Sequence, residues 1–82
     1  VFIMSNEVFD WAMKIKSQRR LSYSDIAQAI SPLLGKVSAV SGSYIFQSIN
    51  SHHPTNGMRV AKAIIAHYTG ATFDKKYYLK VG

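Results

Sequence analysis

Apolar positions recur along this chain at helical spacing in four stretches separated by polar punctuation. In the first stretch Val8, Trp11, Ala12 and Ile15 fall on one face of a helix that Ser5 or Asn6 opens and that runs to about Arg19. Its acids stand in the early turns and its bases in the late ones, which matches the helix dipole. Trp11 reads as a core anchor.

The second stretch opens on Ser22, with Asp25 three residues later, a capping-box pattern in its looser form with Asp. Ile26, Ala27 and Ile30 share one side of the helix it starts. Pro32 disfavours helical geometry at Ser31, so this helix stops near Ile30. Ser31-Pro32-Leu33-Leu34-Gly35 then reads as a separate helical turn: Ser31 caps it, Pro32 takes its first position, and Gly35 ends it. Leu33 and Leu34 are its contribution to the core.

The third helix begins near Ser41, capped by that hydroxyl, and ends at about Asn50. Val40, Ile45 and Ile49 are its buried side, and small, polar and aromatic groups face outward. A polar loop, Ser51-His52-His53-Pro54, leads to a fourth helix capped by Thr55 or Asn56. That helix carries Met58, Ala61, Ile64, Ile65 and Tyr68 inward and stops at Gly70. In the tail, Phe73, Lys75, Tyr77, Leu79 and Val81 alternate with Asp74, Lys76, Tyr78 and Lys80, a pattern that suits a strand, a contact to a second protomer, or a mobile arm. The expected fold is all-α, one domain over residues 1–82, with four main helices plus a short inserted helical turn.

Composition narrows the class. Eighty-two residues sit near the size at which one core only just suffices, so dimerisation would add useful burial. With 48% hydrophobic and 17% charged residues the chain is globular rather than disordered. No apolar run approaches the roughly 20 residues of a membrane span. Val1-Phe2-Ile3 is too short for a signal peptide, and Met4 reads as a natural start with those three residues added ahead of it. The absence of cysteine excludes disulfides and thiolate metal sites and suits a cytoplasmic location.

Charge changes the picture further. The net charge is +6, and Glu7, Asp10, Asp25 and Asp74 are the only acids, so Ile26 to Phe73 is acid-free. Lys36, Arg59 and Lys62 lie within that stretch with no local acid to neutralise them. This distribution favours a phosphate-facing surface over general solubility.

From Ser22 to Ile49 the chain resembles the Cro and repressor helix-turn-helix family of phage and plasmid regulators, the lambda-repressor-like fold. In that family the first motif helix carries a small residue that lets the second cross closely, and Ala27 matches it, flanked by Ile26 and Ile30. Val40, Ile45 and the pair Ser48-Ile49 match the apolar spacing of the second motif helix, and the loop with Pro54 fits the approach to the next helix. The turn departs from the pattern. The family places Gly where Ser31 stands, and here about eight extra residues, Ser31 to Ala39, separate the two halves. A packed inserted loop accounts for them better than a turn at Gly35-Lys36-Val37, which would put Gly42 at a core position.

The resemblance implies a homodimer on double-stranded DNA, acting as a transcriptional repressor or switch, with the helix near 41–50 in the major groove. Base contacts would then come from Ser41, Gly42, Ser43, Phe46 and Gln47, with Tyr44 on the flank. Gln47 suits adenine, Phe46 a thymine methyl, and Ser43 a base or a phosphate, while Gly42 allows close approach to backbone or groove. Phosphate contacts would come from Tyr23 and Ser24, with Lys36, Asn50, His53, Asn56 and Arg59 nearby. Tyr77, Tyr78 and Leu79 in the tail are the candidate dimer contacts.

Other chemistries find less support. His52 and His53 lack a neighbouring carboxylate or thiolate, and His67 is distant in sequence, so no metal or other cofactor is expected. The two adjacent histidines instead point to a mild pH dependence of binding. The acids are scattered, no nucleophile has a recognisable base, and the glycines form no phosphate cradle, so neither an enzyme nor a small-molecule substrate is expected. Two rival functions remain: a protein-interaction module such as an inhibitor or adaptor, and RNA binding by aromatic stacking.

Overall fold

Short-range hydrogen bonds decide where the helices begin. The computed structural model describes residues 5–35 and 40–73. Within them lie α1 (Ser5–Gln18), α2 (Tyr23–Ile30), a 3-10 turn (Pro32–Leu34), α3 (Gly42–Asn50) and α4 (Asn56–Thr69). The expected all-α architecture, four helices with a short inserted turn, is the one observed.

The capping box at α2 is complete: the Ser22 hydroxyl accepts from the Asp25 N–H at 3.0 Å, and the Ser22 N–H donates to the Asp25 carboxylate at 3.1 Å. The backbone bond from Ser22, and then its hydroxyl, hold the Asp25 carboxyl below its ordinary pKa. Ser41 caps α3 by accepting from the Tyr44 N–H at 3.1 Å. Gly35 and Gly70 end the 3-10 turn and α4 with φ of 70° and 74°.

Helices α1 and α3 end instead on left-handed residues that carry side chains, Arg20 at φ 54° and His52 at φ 51°. Both ends are Schellman motifs. Leu21 N–H reaches Lys16 C=O and Arg20 N–H reaches Ser17 C=O, while His53 N–H reaches Ser48 C=O and His52 N–H reaches Ile49 C=O.

Two caps differ from expectation. Ser31 stands at the start of the 3-10 turn, but its hydroxyl makes no cap bond there. It donates back to the Ala27 carbonyl and accepts the Val40 N–H at 2.9 Å, so a buried hydroxyl ties α2 to the approach of α3 across the insertion. Thr55 occupies the cap position of α4 without a side-chain cap bond. The His53 ring takes over: its Nδ1 accepts the N–H groups of Thr55 at 3.2 Å and Asn56 at 3.1 Å.

The core is assembled around α4, which packs against α1, α2, α3 and the 3-10 turn. Val60, Ala61, Ala63, Ile64 and Ile65 line its inner side and meet Val8, Ala12 and Ile15 of α1, Ile26, Ala27 and Ile30 of α2, and Ile45 and Ile49 of α3 in one cluster. Leu34 joins it from the inserted turn, whereas Leu33, Val40, Met58 and Tyr68 are only partly buried at its edge. The expectation for Trp11 needs correction: it is half-buried and meets the Phe73 ring edge-on at 6.4 Å. Phe9 is the large aromatic that α1 buries.

Arg19 braces the end of α4. Its guanidinium donates to the Tyr68 carbonyl at 2.9 Å and lies 5.5 Å from that ring, putting a cation at the negative end of α4. Lys36, Tyr77, Tyr78 and Leu79 lie outside the described residues. Among the described residues no helix is long and apolar enough to cross a membrane.

Candidate nucleic-acid interface

Burying Ile45, Ser48 and Ile49 forces the other side of α3 outward, so Ser43, Phe46, Gln47 and Asn50 form an exposed ridge. Phe46 is 49% exposed, which makes it the large apolar side chain most openly offered to solvent among the described residues. The ridge stands between two open grooves. One, of about 470 Å3, is lined by Ser22, Tyr23 and Ser24 of the α2 start and by Gly42, Ser43 and Phe46 of α3. The other, of about 370 Å3, is lined by Tyr44, Gln47, Ser48, Ser51, His53 and Asn56. The N-termini of α2 and α3 border the first groove and that of α4 borders the second, and each brings the positive end of a helix dipole to its groove.

Gly42 has a defined reason to be glycine. A Cβ there would come within 3.1 Å of the Ser24 backbone nitrogen and 3.3 Å of the Tyr23 carbonyl carbon. The first turns of α2 and α3 therefore approach closely at Gly42.

Tyr23 is held from three sides. Its ring meets Phe46 edge-on at 5.2 Å with the planes at 90°, and the Lys16 ammonium lies 4.4 Å from its centroid. Its hydroxyl accepts from Asn50 Nδ2 at 3.3 Å, and the same Nδ2 donates to the Phe46 carbonyl at 2.9 Å. Both Asn50 amide hydrogens are thereby used within the protein. Asn50 thereby braces Tyr23 and the end of α3.

The remaining expected residues divide between the grooves. Ser41 is exposed at the head of α3, and Ser24 and Ser43 are exposed in the first groove. Tyr44 and Gln47 turn toward the second, where His53 and Asn56 form the far wall. Arg59 lies three residues beyond Asn56 in α4, on the same side of that helix one turn further along. His52 stays out of this surface and stacks on Phe9.

Sequence reasoning missed Lys16 as part of the site. Its helical position gave only a generic cation, and its place beside Tyr23 depends on how the chain turns from α1 into α2.

No family model matches the chain, and searches among characterised proteins and solved structures return no match. The shape itself, a bundle of four helices with a short 3-10 turn inside the α2–α3 connection, is compatible with a generic helix-turn-helix-like arrangement.

Proposed function

We propose that this protein is a sequence-reading double-stranded DNA-binding protein of helix-turn-helix type, with α3 entering the major groove. The observation that carries this reading is the exposed ridge of Ser43, Phe46 and Gln47 between two open grooves, each bordered by a helix N-terminus, on a chain of net charge +6. A helix is the element the major groove admits, and hydroxyl and amide groups on its outer side can pair with base edges. Ser41, Gly42 and Tyr44 complete the groove-facing set. Tyr23, Ser24, His53, Asn56 and Arg59, joined by Lys16 and by Lys36, supply the phosphate contacts that fix register.

The role rests on the resemblance to the Cro and repressor family: transcriptional repression or switching in a phage, plasmid or other mobile element, by a homodimer on a two-fold symmetric site joined through Tyr77, Tyr78 and Leu79. The reading entails no catalytic step and no cofactor.

Duplex selection from a random pool, followed by fluorescence anisotropy across a salt series, tests it. Enrichment of a symmetric site bound with a steep salt slope is the expected result. Gln47→Ala should relax discrimination at one base position by about 1–3 kcal/mol, and Arg59→Ala should weaken all sequences alike and reduce the salt slope by about 1. Binding without sequence preference that vanishes at physiological salt would overturn the reading. Preference for single-stranded RNA, or for a protein partner, would replace it.

A further inference from the structure

The exposed surface of α3 has an unusual chemical restriction. The helix Gly42–Asn50, GSYIFQSIN, contains no lysine, arginine, histidine, aspartate or glutamate. It therefore lacks the cationic fork that reads guanine O6 and N7, and the carboxylate that reads the cytosine amino group. What it offers to a base edge is the Ser43 hydroxyl, the Gln47 amide and the open side of the Phe46 ring.

The Phe46 ring is supported on one side and open on the other. Tyr23 backs it edge-on at 5.2 Å, and Asn50 bonds both to the Tyr23 hydroxyl and to the Phe46 carbonyl. Ser24, Gly42 and Ser43 leave an open groove in front of the ring pair. A half-exposed phenyl ring costs free energy in water, and an apolar group delivered from the partner would offset it. In the major groove, the apolar group that base pairs present is the C5 methyl of a pyrimidine.

We propose that Phe46, backed by Tyr23, is a reader of a pyrimidine C5 methyl, and that this contact biases the site toward A·T pairs. The proposal rests on the DNA-binding reading and specifies what that surface selects. Thymine carries the methyl in ordinary DNA, and 5-methylcytosine presents the same group. Gln47, adjacent to Phe46 on the ridge, favours thymine as the source, because a neighbouring adenine matches its amide donor and acceptor.

The test uses the intact protein and the duplex it selects, with each half-site thymine replaced in turn by deoxyuridine, a change that removes only the methyl. At one position the replacement should weaken wild type about threefold to tenfold. Phe46→Ala should bind the thymine duplex more weakly and show no further loss with deoxyuridine. In a second pair of duplexes that position holds cytosine or 5-methylcytosine. Tighter binding of the methylated form by wild type, and not by Phe46→Ala, supports the methyl contact and shows whether either source suffices. Unchanged wild-type affinity for every deoxyuridine duplex overturns the proposal, as does a selected half-site of G·C pairs alone. Both of those outcomes leave duplex recognition intact, whereas failure to select any duplex removes the underlying reading instead.

Discussion

The imidazole of His52 lies flat on the phenyl ring of Phe9, with centroids 4.4 Å apart and planes 4° from parallel. His52 is also the left-handed residue that ends α3, at φ 51°. One residue therefore turns the chain out of α3 and covers the aromatic side chain that α1 buries. Left-handed backbone costs a non-glycine residue roughly 1–2 kcal/mol, and the stacked pair returns about 0.5–1.5 kcal/mol. His52→Ala keeps the backbone cost and loses the stack, so urea unfolding should show a loss of about 1 kcal/mol. His52→Gly loses both and should lie near wild type. Equal losses in the two variants would show that the stack and not the backbone sets the cost.

Gly57, at the start of α4, closes the same corner. A Cβ there would stand 2.3 Å from the Ser48 carbonyl oxygen and 3.1 Å from Cε1 of Phe9. The clash is with backbone, so α3 and α4 would have to separate. Gly57→Ala should cost about 3 kcal/mol despite the better helix propensity of alanine, read from the denaturation midpoint.

Ser31 is almost fully buried and joins Ala27 to Val40 through one hydroxyl. Ser31→Ala strands the Val40 N–H in a partly buried place. A loss of about 1–2 kcal/mol is expected, with hydrogen exchange at Val40 accelerated more than at Ile64 in the core.

Tyr23 and Asn50 act as a pair through a bond of 3.3 Å. Tyr23→Phe removes its acceptor and Asn50→Ala its donor. Each should weaken duplex binding by less than about tenfold, with stability changing by no more than about 0.5 kcal/mol because the bond is exposed. The double variant should bind no more weakly than the worse single one, since both remove the same brace. Fully additive losses would mean that each side chain touches DNA independently.

Two groups tie stability to pH at opposite ends. Asp25 has its pKa lowered in the fold by the Ser22 backbone bond and then the Ser22 hydroxyl, from an ordinary value of 3.8. Its contribution is present above 3.8 and is lost as pH falls through the depressed folded value. Tyr68 has its pKa raised from 10.0, first by burial and then by the Asp25 charge, against the opposing pull of Arg19. Its contribution is present below 10.0 and is lost as pH rises through the raised folded value. Thermal melts across pH should show Asp25→Asn flattening the acid limb and Tyr68→Phe the alkaline limb.

What the sequence by itself determined were features set within a few residues. Ser22 with Asp25, Ser41, Pro32, Gly35 and Gly70 start or stop their elements through bonds and backbone angles that neighbouring residues decide. The outward side of α3 was legible for the same reason, because Ile45, Ser48 and Ile49 leave one side for Ser43, Phe46 and Gln47. Tertiary structure decided which of several adjacent apolar side chains each helix buries. Phe9 rather than Trp11 goes fully inside because its flank of α1 faces the corner made by His52 and Gly57, a surface built from residues more than forty positions away. It also decided the tasks of polar groups with more than one local option. The Ser31 hydroxyl chose Ala27 and Val40 over its own turn, His53 took the cap that Thr55 left, and Lys16 came to rest over Tyr23. Helical spacing shows which residues share a face, and only the packing of four helices shows what that face meets.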